Sequence, residues 1–133
     1  MANYCGSGRS NYFKVKNAKK FLKWAEMWCG ITIHPGKTKN EFCILSENES
    51  GDFPDEREDK KDSVEFLTEI ATHLAEDSVA IFMHCGAEKL RYLCGYAFAI
   101  NSLGDQRVIN LQEIYKMAEV LSHKPSKITE VSY

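Results

Sequence analysis

The sequence predicts an α+β domain: a largely antiparallel sheet built from hairpins, in the order β-α-β-β-α-β-β-β-α-β, with three helices packed mainly on one face. Three observations carry this. An unbroken apolar run, Val79–Met83, is followed by strict alternation from Leu90 to Asn101 and a short return segment, Gln106–Ile109. Three other stretches repeat apolar residues three or four apart. The connections carry turn residues and lack the regular spacing of βαβ units. At 133 residues the chain suits one domain, 1–133.

In chain order, Met1–Ser10 is small and polar and reads as a loop. Its Gly6-Ser7-Gly8-Arg9-Ser10 lacks the lysine and preceding strand of a phosphate loop. Asn11–Lys16 alternates, with Phe13 and Val15 on one face and Tyr12, Lys14 and Lys16 on the other. Asn17 suits a helix N-cap, and Ala18, Phe21, Leu22, Ala25, Trp28 and Cys29 then form one apolar stripe of a helix over 18–29. Lys19, Lys20 and Lys23 lie opposite, and Gly30 ends the helix. Trp24, at the edge of the stripe, reads as a partly exposed interaction anchor. Ile31–His34 and Asn40–Leu45 flank Pro35-Gly36-Lys37, a hairpin pattern.

Glu47–Asp62 holds eight acids and three bases, with Phe53 as its one large apolar residue, and reads as an exposed, mobile acidic loop. A second helix, 63–76, presents Val64, Leu67, Ile70, Ala71 and Leu74. Val79–Met83 is apolar at every position, which predicts a central strand covered on both sides. In the alternating stretch, Leu90, Tyr92, Cys94, Tyr96, Phe98 and Ile100 share one face; Arg91, Leu93, Gly95, Ala97 and Ala99 share the other. The small side suits a closely packed helix. Ser102-Leu103-Gly104-Asp105 is a turn. Asn110 caps a third helix, 111–122, with a stripe of Leu111, Ile114, Tyr115, Ala118 and Leu121 that Pro125 ends. Lys127–Tyr133 alternates as a final strand.

Net charge is −2, but it is distributed in blocks: +7 over residues 1–40, −10 over 41–77 and +1 over 78–133. No run approaches the ~18 apolar residues of a membrane span, so the expectation is a cytoplasmic protein with no membrane partner. Five cysteines, an odd number, read as reduced and mostly buried thiols. The histidines and cysteines show no paired ligand spacing, so no metal and no cofactor are expected. His84 and Cys85 are adjacent and in a strand point to opposite faces, which disfavours a thiol enzyme built on Cys85. No catalytic residue is assigned.

Arg9–Lys16 (RSNYFKVK), Gly86–Asn101 (GAEKLRYLCGYAFAIN) and Leu111–Tyr115 (LQEIY) together resemble small proteins encoded by bacteriophages, plasmids and related mobile elements. The resemblance covers about a quarter of the chain and carries over no site residue. It implies an inhibitor of a host defence or nucleic-acid-handling complex, of the anti-CRISPR kind.

The sequence reading is thus a non-catalytic protein-interaction module. Its favoured partner-binding residues are those of the acidic loop: Glu47, Glu49, Asp52, Asp55, Glu56, Glu58 and Asp59. The alternative is a single-stranded nucleic-acid binder that uses Lys14, Lys16, Lys19, Lys20 and Lys23 with the strand aromatics Tyr92, Tyr96 and Phe98.

Overall fold

The computed structural model describes residues 4–54, 66–88, 92–122 and 128–129. The chain runs β1 (Tyr4–Ser10), β2 (Phe13–Lys14), α1 (Ala18–Ala25), β3 (Ile31–Pro35), β4 (Glu41–Ser46), α2 (Phe66–His73), β5 (Val79–Glu88), β6 (Tyr92–Asn101), β7 (Gln106–Asn110), a 3-10 turn (Leu111–Glu113) and α3 (Ile114–Leu121). All seven strands join one antiparallel sheet in the order β2-β4-β1-β5-β6-β7, with β3 also on β4. The α+β architecture with three helices is as the sequence predicts. Of the final strand expected over 127–133, only residues 128–129 are described and they are not in a strand; the helix start at 63–65 lies outside the described residues.

Several sequence expectations are corrected. The N-terminal segment is not a loop: Tyr4–Ser10 is an interior strand, paired along its length with β5 from Tyr4↔Glu88 to Ser10↔Phe82. The chain then bends into β2 at Asn11. Its backbone N–H still donates to the Ile81 carbonyl at 3.0 Å, and its side-chain amide extends the ladder, donating to the Val79 carbonyl at 3.1 Å and accepting from the Ile81 N–H at 2.8 Å. Second, β5 is covered on one side only. Ala80, Phe82 and His84 are buried, whereas Val79, Ile81, Met83 and Cys85 face outward.

The covered face holds the core. Asn17 caps α1 by accepting from the Lys20 N–H at 3.0 Å, and Phe21 and Ala25 turn inward with Trp28 just beyond. From β2 and β4 come Phe13, Phe42 and Ile44; from α2, Phe66, Ile70 and Ala71. The rings pack edge-on or offset, as between Phe13 and Phe21 (5.7 Å, 85°) and Phe21 and Phe42 (5.2 Å, 30°). Trp24 corrects the anchor expectation. It is 7% exposed, stacks on Phe66 and His73, and donates its indole N–H to Glu69 at 3.2 Å. Leu22 and Cys29, assigned to the apolar stripe, are exposed. The cysteine expectation also changes: Cys5, Cys29 and Cys85 are exposed, Cys94 is half-buried and only Cys43 is buried.

The segment after β4 returns across the covered face. Glu47, Glu49 and Asp52 are exposed, but Gly51 is buried and Phe53 packs on Phe82 (4.9 Å), Phe98 (6.1 Å) and Phe66 (6.3 Å). Gly6 and Gly8 make this approach feasible. A Cβ on Gly8 would lie inside 3.0 Å of the Gly51 carbonyl, and one on Gly6 inside 3.0 Å of the Ser50 carbonyl. The Gly6 N–H donates to Glu49 O at 2.8 Å and pins the segment. Residues 55–62 of the acidic loop lie outside the described residues.

Candidate interaction surface and the polar cluster behind it

Directly opposed residues in an antiparallel ladder share a face, so the uncovered side can be read from the register. Met83 opposes Ala97 and Arg9; Cys85 opposes Gly95 and Ser7; Ile81 opposes Ala99; Ala97 opposes Ile109; Arg9 opposes Leu45. These positions form an apolar floor with the guanidinium of Arg9 on it. The small residues of β6 leave a depression there of about 760 Å³, lined by Met83, Cys85, Gly95, Ala97, Ile109 and Leu111 among others. The expectation that the small side seats a helix is met by one side chain. Leu111 of the 3-10 turn lies where a Cβ on Gly95 would be 3.1 Å from its Cδ1. The third helix runs on without burying its stripe. Leu111, Ile114 and Met117 are exposed, and Val120 and Leu121 are 86% and 87% exposed. All five residues of β7 are also exposed, with Val108 on one face and Ile109 on the other.

On the covered side, a polar cluster lies beneath the Asn48–Phe53 segment. His84 is buried, with Tyr96 stacked on its ring at 4.7 Å and Tyr4 at 6.0 Å. The Gly51 carbonyl is 3.0 Å from Nδ1 and can only accept, so Nδ1 donates to it. Nε2 hydrogen-bonds the Tyr4 hydroxyl at 2.6 Å, and that hydroxyl also hydrogen-bonds the Cys94 thiol at 2.8 Å. Asp52 Oδ1 is 3.7 Å from His84 Nδ1 and accepts from the Tyr96 hydroxyl at 3.5 Å. Burial, then the neighbouring Cys94, pushes the Tyr4 phenol well above its ordinary value. Burial, then the Asp52 carboxylate, raises Tyr96. Both hydroxyls are thus held protonated, and that of Tyr96 donates to Asp52. This Asp–His–Tyr order superficially resembles a nucleophilic relay, but a phenol held protonated is a poor nucleophile. Its evident work is to tie the segment after β4 to β5.

The sequence-predicted site residues are placed as follows. Lys14, Lys16, Lys19, Lys20 and Lys23 are all exposed on β2, α1 and the link between them. Of the strand aromatics, Phe98 is stacked on Phe82 at 5.0 Å and Tyr96 on His84, both on the covered face, while Tyr92 is exposed beside Tyr4. The lysines and the three rings therefore do not form one platform: two rings are already engaged within the fold. Glu47 accepts from the Thr32 hydroxyl, and Asp52 serves the polar cluster. Asp55, Glu56, Glu58 and Asp59 lie outside the described residues. Cys85 opens on the depression, with His84 turned to the other face. Sequence reasoning missed Tyr4, His84 and Cys94 as a cluster, and missed the open face. The one signal present was the two-residue period of small residues at 6, 8 and 10, which marks a strand.

The fold and surface define an antiparallel α+β domain with one apolar sheet face uncovered. Comparisons with protein-family models, curated proteins and solved structures find no match for this chain. Among the described residues no helix is long and apolar enough to cross a membrane, and no group of three or more His, Cys, Asp or Glu is arranged to hold a metal ion.

Proposed function

We propose that this chain is a non-catalytic protein-interaction module that docks a protein partner on the open face of its sheet. One observation carries the reading. Met83, Ile109 and Leu111 are exposed around an apolar depression, Met83 by 61%, and Ile81 and Val79 continue the exposed apolar row along the same side of β5. Monomeric proteins rarely leave more than a few hundred Å² of contiguous apolar surface in water without a use for it. Arg9 in the lining supplies a positive charge for orienting a partner. The three mobile-element-like segments favour a partner from a host defence or nucleic-acid-handling complex, with the chain as its inhibitor.

The test is an affinity capture from host lysate with three baits: wild type, Met83→Lys, and a Lys19→Glu/Lys20→Glu/Lys23→Glu variant. A gel shift with short single-stranded nucleic acids runs in parallel. The expected result is one protein retained in stoichiometric amount by the wild type and the lysine variant, lost from Met83→Lys, with no low-salt gel shift. Retention indifferent to Met83→Lys would overturn the reading. A salt-dependent shift abolished in the lysine variant would establish the nucleic-acid alternative instead.

A further inference from the structure

The edge strand and the last helix are an unfinished part of the molecule. β7 pairs with β6 on one side, ends the sheet on the other among the described residues, and exposes all five residues. Natural edge strands are usually guarded by charge, proline or a bulge. Of Gln106–Asn110 only Arg107 is charged, and the central pair Val108-Ile109 is apolar on both faces. α3 has eight residues and makes its main contacts with the 3-10 turn before it. A helix that short is marginal in water without a packed face. Its apolar residues Ile114, Met117, Ala118 and Leu121 fall on one stripe, with Val120 at the shoulder; Ala118 is half-buried and the other four are exposed.

We infer that β7 and α3 form a two-fold interface with a second copy of this chain. The inference rests on the interaction-module reading and names the partner of one part of that surface. Two arguments select a second copy. The first is area: on the Leu111 side of the sheet, Ile109, Leu111 and the four exposed apolar residues of α3 offer on the order of 700 Å², close to the ~800 Å² that one partner contributes to a standard interface. The second is self-complementarity. An isologous interface must match its own surface, and a five-residue edge strand centred on Val108 does. Antiparallel self-pairing about Val108 sets Gln106 against Asn110 and Arg107 against Ile109 of the other copy, so no like charges oppose directly. The sheet then continues through the seam, and the two α3 stripes, carried forward by Leu111, meet across it. The β5 end of the open face, around Val79, Ile81 and Met83, stays free for another partner.

Sedimentation equilibrium of the full chain between about 1 and 200 µM tests this, with backbone hydrogen exchange across the same range. The expected result is a species of twice the 15.2 kDa chain mass, with protection at Val108 and Ile109 that grows with concentration. Met117→Lys/Leu121→Lys should weaken the dimer at least tenfold while the near-ultraviolet signal of the buried Trp24 and Trp28 stays unchanged. Val108→Lys should do the same from the strand side. A wild type that is monomeric throughout, or a dimer untouched by both variants, would overturn the inference. Protection of β7 in a monomer would show that this chain covers its own edge, and would overturn it equally. In those cases the proposed function survives if capture still depends on Met83, so the two readings fail separately.

Discussion

Replacing Gly8 by alanine tests whether the segment after β4 is held flat on the sheet by the absence of a side chain. The new Cβ would enter the space of the Gly51 carbonyl, a backbone atom with no rotamer to move. The segment must lift. Lifting breaks the His84 to Gly51 hydrogen bond, worth about 1 kcal/mol, and withdraws a half-buried Phe53, worth about 1.5 kcal/mol. The expected loss is about 2–3 kcal/mol, which lowers the melting temperature of a domain this size by roughly 6–12 °C. Urea unfolding followed by tryptophan fluorescence measures it, because Trp24 and Trp28 are both in the core. Gly104→Ala is the control: its φ is +89° but nothing lies within 4 Å, so it should cost only the left-handed penalty of about 1 kcal/mol. A double-mutant cycle sharpens the test. If Gly8→Ala acts by lifting the segment, Phe53→Ala should cost little more in its presence. Additive costs, or a Gly8→Ala loss under about 1 kcal/mol, would refute the reasoning.

Two further outcomes follow from the titratable groups. Burial against Phe21 and Trp24 holds His73 below its ordinary value, with Glu69 opposing and Lys16 adding to the effect. Such a histidine gains a proton on unfolding, so its contribution to stability is complete above about pH 6.5 and declines as pH falls through that value. His73→Gln should flatten the decline in urea midpoint between about pH 7.5 and 5.5, and an unchanged slope would exclude His73 as its source. Tyr4→Phe removes the hydroxyl between His84 and Cys94 and should cost about 1–3 kcal/mol at neutral pH. Because the folded state keeps Tyr4 protonated, stability is lost as pH rises above about 10, and the variant should lose part of that alkaline slope in melting scans.

Much of the architecture was legible because it rests on local pattern. Phe21, Ala25 and Trp28 repeat at helical spacing and are buried; Pro35-Gly36 does separate two paired strands; the β5-β6-β7 meander follows the period-two alternation. The N-terminal strand was not legible because Gly6 and Gly8 ordinarily signal a loop. Here they are in a strand because another segment needs the room, which depends on residues more than forty positions away. The run Val79–Met83 misled for a related reason. Apolar residues on both sides of a strand predict burial on both sides, but only tertiary packing decides whether a layer arrives. For Met83 none does among the described residues. The polar cluster was out of reach: Tyr4, Asp52, His84 and Cys94 come from four separate segments and acquire meaning only when β1 lies beside β5. Of the partner-binding residues read from the acidic stretch, exposure was legible for Glu47 and Glu49, whereas the task of Asp52 beside Tyr96 was not.

The position of β1 also sets a timetable for making the molecule. Its partners in β5 come 72 to 84 residues later, from Ser10 with Phe82 to Tyr4 with Glu88. During synthesis β1 must therefore wait, unzipped, while α1, the β3-β4 hairpin and α2 emerge from the ribosome. The local β5-β6 hairpin can close quickly, but the sheet becomes continuous only when the early strand slots between β4 and that hairpin. Such long-range closure is slow, and the interval exposes Phe82 and its neighbours to other nascent chains.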